Sequence, residues 1–170
     1  MRWACTEPYD AVLAAPFAHL GVVADAQGIR QIDFLPADYA LFAPKLSPGP
    51  EHGYVQQLAA ALAHYWRNPA MHFVLPLRYQ GSAHQMRVWQ ALLAIPPGQT
   101  RRYGEIAAAI GSSPRAVGQA CGANPLPIVI PCHRVVAKTG RGGFMHQRGG
   151  AALDYKDWLL DHESRFAVAD

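Results

Sequence analysis

Cys132, His133 and Arg134 follow one another in the stretch LPIVIPCHRVV, directly after the apolar run Ile128–Ile130 and Pro131. A thiol is a nucleophile only as its thiolate, and a histidine close by can take the proton. That histidine needs a partner to fix its tautomer and balance its charge. The segment AALDYKDWLLDHE presents Trp158, Leu159 and His162 and ends on Glu163, a suitable source of the carboxylate. A lone buried cysteine is usually a small hydrophobe. The polar neighbours of Cys132 favour a nucleophile instead.

The elements that must position these residues lie in the second half of the chain. SAHQMRVWQALLAI carries Ser82 as a helix N-cap, puts Met86, Trp89, Leu92 and Leu93 on one face, and stops at Pro96-Pro97. RYGEIAAAI and SPRAVGQAC read as two short helices joined by Gly111, Ser112 and Ser113. The second has Ser113 as N-cap, Pro114 in its first turn and Gly122 as terminator. This is a helix-turn-helix pattern. Its second helix is lined by Ala116, Gly118 and Ala120, a slim face suited to close approach. Arg115 in its first turn opposes the helix dipole and reaches outward. Arg101 and Arg102 precede the first helix and are placed to hold phosphates.

The first half carries no chemical signature. HLGVVADAQGIRQIDFL reads as a hairpin turning at Asp25 to Gly28, and the Pro-rich stretch APKLSPGP as a loop. EHGYVQQLAAALAHYWRN spaces Val55, Leu58, Leu62 and Tyr65 or Trp66 as an amphipathic helix, and MHFVL reads as a further strand. The expected architecture is α+β, with a small α/β domain over residues 1–80. A mainly helical domain over 81–170 holds the helix-turn-helix and a short active-site strand.

Composition narrows the function classes. A chain of 170 residues, 51% hydrophobic, can bury a core. No apolar run approaches the roughly 20 residues of a membrane span, and MRWACTEPYD lacks the apolar region of a secretory signal, so a cytoplasmic protein is expected. Cys5, Cys121 and Cys132 lack zinc-ligand spacing and are odd in number, so neither a metal site nor a disulfide framework is expected. The formal charge of +3 is unevenly placed: residues 1–80 hold 5 Lys/Arg against 6 Asp/Glu, a net −1, and residues 81–170 hold 10 against 6, a net +4. A basic second half suits an anionic partner such as nucleic acid.

IPCHRVV, preceded by ANPLPIVI, with IPPGQTRRYGEIA upstream and WLLDHE downstream, resembles the O6-alkylguanine-DNA alkyltransferases, also called methylated-DNA–protein-cysteine methyltransferases. The resemblance extends over roughly Ser82 to Glu163. It implies a cofactor-free, single-turnover repair protein, acting as a monomer on double-stranded DNA that contains O6-alkylguanine. Docking would be through the minor groove, with the target nucleotide flipped out. By motif position, Cys132 would accept the alkyl group, and His133 would be the base, linked through a water to Glu163. Asn124 would tie the turn after the second helix to the site. Tyr103 would crowd the target phosphate and hydrogen-bond the guanine edge, and Arg115 would fill the space left by the extruded nucleotide. Arg101, Arg102, Ala116 and Gly118 would face DNA.

GRGGFMHQRGGAALDYKD departs from the family pattern. It is a few residues longer than usual, with a second glycine pair at Gly149-Gly150. Gly143, Phe144 and Met145 are the expected pocket wall, whose backbone amides would face the guanine oxygen. Cys121 would line the pocket or simply pack.

Other classes fit less well. A non-repairing lesion sensor would lack the acceptor cysteine. A helix-turn-helix regulator needs side chains that read base edges, which Ala and Gly do poorly. A cysteine hydrolase needs an oxyanion site, and none is evident.

Overall fold

The computed structural model describes residues 9–36, 38–39, 50–147 and 150–166. Cys5, the Pro-rich stretch at 43–49 and Gly149 lie outside the described residues. The chain divides between Tyr79 and Gln80 into two compact units. The fold is α+β, the class expected from the sequence.

In the first unit, β1 (Ala11–Ala14), β2 (His19–Asp25) and β3 (Gly28–Leu35) form an antiparallel sheet in that order. The hairpin β2–β3 pairs His19 with Leu35 and Asp25 with Gly28, so the turn is the two residues Ala26 and Gln27. The apolar period-2 pattern puts Leu20, Val22, Ile32 and Phe34 in the core. Helix α1 (Pro50–Tyr65) adds Val55, Leu58, Leu62 and Tyr65, and Tyr65, not Trp66, is the fully buried member of that stripe. Two features differ from the sequence reading. MHFVL forms no strand, because Val74 stays 91% exposed and the segment meets β3 only afterwards, at a single parallel bridge between Leu77 and Ile29. Strand β1 was not expected, since four residues of AVLA carry too little periodicity to announce themselves.

The second unit holds α2 (Ala83–Leu93), β4 (Arg101–Arg102), α3 (Tyr103–Ile110), α4 (Pro114–Gly122), β5 (Val135–Val136) and α5 (Ala151–Ser164). Ser82 caps α2 through a complete capping box with Gln85, Oγ accepting from Gln85 N at 3.2 Å and Oε1 accepting from Ser82 N at 2.8 Å. Its buried stripe is Val88, Trp89 and Leu92, while Met86 is half-buried and Leu93 is exposed. The core contact rotates by about one position because Trp89 Nε1 donates to the Ala120 carbonyl at 2.9 Å, fixing α2 against α4. Gly111, at φ 65, closes α3 in the left-handed conformation, and Ser113 caps α4 by accepting from Ala116 N at 3.2 Å. The Ser113 cap is as the sequence predicts, and Gly111 lies in the turn expected between the two helices. Gly122 is the last residue of α4, and the cap is Ala123.

The short strand expected before the cysteine does not form; the strand at the site is β5, which follows the cysteine and pairs in parallel with β4. The run Ile128–Ile130 before it is a turn. Ile128 sits at φ 75, a costly conformation for a β-branched residue. Ile130 N bonds back to the Leu126 carbonyl at 2.8 Å.

Candidate active site

Asn124 makes that strained turn possible. Its Oδ1 accepts from Leu126 N at 3.0 Å, and its Nδ2 donates to the Ile130 carbonyl at 2.8 Å, so one side chain staples both ends of the turn. The same Nδ2 donates to the Cys132 sulfur at 3.1 Å. After Pro131, Cys132–Arg134 form a single 3-10 turn, which carries three buried polar or reactive side chains into the core in succession.

His133 is fully buried and meets Glu163 directly, with 2.8 Å between Nε2 and Oε1. The expected intervening water is therefore not part of this contact. The carboxylate is fully engaged: Arg134 Nε donates to Oε2 at 2.9 Å, Arg134 Nη2 to Oε1 at 2.8 Å, and Gly98 N to Oε2 at 3.1 Å. Arg134 Nη1 also donates to the Ile95 carbonyl at 2.6 Å, so the guanidinium is itself locked. Burial alone would raise the pKa of Glu163, but the hydrogen bonds of His133 and Arg134 and the charge of Arg134 hold it well below the usual carboxylate range. Burial lowers the pKa of His133, and the cations of Arg134 and Lys156 lower it further against the pull of Glu163. The imidazole is neutral, carries its proton on the nitrogen facing the carboxylate, and leaves Nδ1 as a buried base with no protein partner.

Burial pushes the Cys132 thiol up to about 11, and Asn124, Lys156 and the backbone amides of Cys132 and His133 restrain that rise. A thiol so placed is protonated at neutral pH. It becomes a nucleophile through a base within the site.

Lys156 was missed by the sequence reading. Its Nζ is fully buried and donates to the carbonyls of Val135 at 2.6 Å and Gly143 at 3.0 Å. Burial lowers its pKa to about 8, with Cys132 and Cys121 pulling the other way. A signal was present: Ala152, Lys156, Leu159 and Glu163 recur at helical spacing and form the buried stripe of α5. Trp158 and His162, singled out with them, stack on each other at 4.7 Å.

A cavity of about 970 Å³ lies beside Cys132. Tyr103, Arg115, Gly118, Cys121, Gly143 and Met145 line it, as does Phe144, so the sequence-predicted pocket residues do converge. Tyr103 donates its hydroxyl to the Gly143 carbonyl at 3.1 Å, and burial raises its pKa. Gly143 thus offers a saturated acceptor. The amide of Phe144 is engaged too, bonding the Gln147 carbonyl at 2.9 Å, which corrects the expectation that it faces a ligand. Cys121 is both buried and pocket-lining, and burial raises its thiol pKa strongly. Arg115 stands exposed at the rim, and Arg101 and Arg102 are exposed on β4. Ala116 is half-buried in the first turn of α4 and does not line the cavity. Among the described residues no cluster of three His, Cys, Asp or Glu is arranged to hold a metal, and no helix is long and apolar enough to cross a membrane.

The profile described as "6-O-methylguanine DNA methyltransferase, DNA binding domain" matches residues 83–165. A methylated-DNA–protein-cysteine methyltransferase of Mycolicibacterium paratuberculosis is 45% identical over 120 residues, covering 69% of this chain and 67% of that protein. One of Methanosarcina acetivorans is 32% identical over 158 residues, covering 91% and 97%. Among solved structures, the Mycobacterium tuberculosis O6-methylguanine methyltransferase matches with a TM-score of 0.70 and 34% identity over 94% of each chain. The same protein in complex with DNA matches equally well, over 93% of this chain and 94% of that one.

Proposed function

The chain belongs to the methylated-DNA–protein-cysteine methyltransferase family, and from that premise we propose that it repairs O6-alkylguanine in double-stranded DNA by taking the alkyl group onto Cys132. The observation that carries the proposal is the sulfur itself: buried, hydrogen-bonded by Asn124, and next to a neutral His133 held by Glu163 at the wall of an open cavity.

The reaction follows from that geometry. Nδ1 of His133 takes the thiol proton, and the sulfur attacks the alkyl carbon in line with the bond to oxygen. The S–C bond forms as the C–O bond breaks. Guanine leaves with the electron pair and takes up a proton, and the imidazolium gives up the one it holds, so in net the thiol proton ends on guanine. The Glu163 carboxylate is already paired with Arg134 and hydrogen-bonded to His133, so the charge that appears on the imidazole is met at once. A thioether is a poor leaving group, which makes the protein a reagent consumed once per lesion.

A sulfur inside the fold cannot reach a stacked base, so the nucleotide must leave the helix, at a cost of a few kcal/mol. Arg115, at the cavity rim on α4, is the side chain that takes its place. Tyr103 covers the entering base, and Arg101 and Arg102 hold phosphates. The slim Ala116 and Gly118 side of α4 suits the minor groove, with contacts indifferent to sequence. Action as a monomer on chromosomal DNA in the cytoplasm fits this role.

The test is the mass of the intact protein after mixing with a duplex carrying one O6-methylguanine. A gain of one methylene, mapped to Cys132 and absent in C132A, is expected. Tight lesion-selective binding without a mass gain would make the protein a lesion sensor instead.

A further inference from the structure

Residues Phe144 to Gln147 form a closed two-residue turn. Phe144 N bonds the Gln147 carbonyl at 2.9 Å and Gln147 N bonds the Phe144 carbonyl at 2.8 Å, with Met145 at φ 49 and His146 at φ 62 between them. Two successive positive φ values call for Gly or Asn, and neither residue is one. Backbone strain of this kind persists where the surroundings fix it.

What fixes it is α4. The imidazole of His146 lies on Gly122 so closely that a Cβ built there would stand 2.3 Å from its Nδ1 and 2.4 Å from its Cε1. Gly122 has no positive φ, so the backbone itself does not require glycine. In a helix glycine costs about 1 kcal/mol relative to alanine, and the ring is the reason to keep it. One helical turn earlier, Gly118 faces the ring of Tyr103, whose Cε1 would be 3.9 Å from a Cβ there. The two glycines are seats on one side of α4 for two rings. Both seats and both rings line the cavity that holds Cys132.

We propose that His146 is a specificity-determining residue, a wall that sets how bulky an alkyl group can reach Cys132. The proposal rests on the alkyl-transfer reading for its substrate, but the wall is a property of the cavity. Removing the ring enlarges the space beside the sulfur. A methyl group at Gly122 takes the seat and pushes the ring off the helix into the cavity.

The experiment compares the unmodified protein, H146G, G122A and the double variant. Glycine at 146 suits the positive φ, and alanine at 122 suits the helix, so each variant is expected to melt no lower than the parent. Single-turnover transfer is measured from duplexes carrying O6-methylguanine or O6-benzylguanine. H146G is expected to raise the benzyl-to-methyl rate ratio about tenfold, the scale on which a pocket discriminates by size. G122A is expected to lower the ratio by about as much, and to have no effect once His146 is gone. The same comparison is made without DNA, from alkylation of Cys132 by N-benzyl iodoacetamide against iodoacetamide, with the site mapped by mass. Failure of the unmodified protein to take methyl from DNA sinks the repair reading, and the reagent ratios still decide on the wall. An unchanged ratio in H146G, or a G122A effect that is the same with and without the ring, overturns the role of His146.

Discussion

Asn124 donates one amide hydrogen bond to the sulfur of Cys132 at 3.1 Å while holding both ends of the turn that precedes it. Structure and reactivity therefore share one side chain. N124A is expected to leave the Leu126 amide unsatisfied, at about 1–3 kcal/mol, while the Ile130 carbonyl keeps the amide of Cys132, and to raise the thiol above its value of about 11. The melting temperature should fall, and alkylation of Cys132 by iodoacetamide should be slower at every pH below that value. An unchanged pH profile would show that the amide does not tune the sulfur.

Glu163 and His133 should make the protein acid-sensitive. Both groups have a pKa below that of the unfolded chain, so the unfolded state binds more protons and stability falls as the pH falls. The loss begins below the unfolded histidine value of about 6.5 and steepens below the carboxylate value of about 4.3. E163Q should lose about 3–5 kcal/mol at neutral pH, because it leaves Arg134 buried without its counter-charge, and its stability should depend less on pH. Denaturant melts of both proteins from pH 7 to pH 3 measure this.

Lys156 pins the carbonyls of Val135 and Gly143 and restrains the thiol pKa. K156M keeps the volume and removes the charge. Its rate of Cys132 alkylation should reach its maximum at a higher pH than in the parent, and alkyl transfer at pH 7 should fall. A K156M profile that coincides with the parent's would confine Lys156 to a structural role.

In the proposed reaction Arg115 would act on the duplex and not on the chemistry. R115A should slow transfer from duplex DNA by about tenfold or more, since an inserted side chain offsets part of a flipping cost of a few kcal/mol. Transfer from O6-methylguanine as the free base should be unaffected. As Arg115 is exposed, stability should change by less than about 0.5 kcal/mol.

Arg101 and Arg102 should appear in the salt dependence of binding. R101A and R102A are each expected to reduce the slope of log affinity against log salt by about one, equally for damaged and undamaged duplexes. A loss confined to one sequence would mean base reading instead.

The sequence announced those parts whose signal is local. The hairpin β2–β3, the stripe Val55–Leu58–Leu62–Tyr65, the caps at Ser82 and Ser113 and the turn at Gly111 each depend on residues within one turn or one strand pair. The grouping of Cys132 with Asn124, and of His133 with Glu163, was legible from an uncommon motif. Lys156 was not, because Asp154 and Asp157 beside it make that stretch look like a solvated helix face, and its burial comes from Val135 and Gly143, more than ten residues away. The direct contact of His133 with Glu163 has the same origin. Arg134 brings the carboxylate inward, and nothing in the spacing of 29 residues reports that. MHFVL misled because apolar, β-branched composition describes a strand only where a partner edge is at hand.

The ladder between β4 and β5 is two residues long, pairing Arg101 with Val135 and Arg102 with Val136. One end begins the helix-turn-helix, and the other follows the 3-10 turn of Cys132 without a gap. The proposed phosphate grip and the sulfur are thus welded into one gauge of fixed length. The protein cannot slide its handhold along the strand and keep its chemistry where it was. On the proposed reading, a lesion would be accepted or refused by how far it lies from the backbone so gripped, a tolerance set in the fold before any base is read.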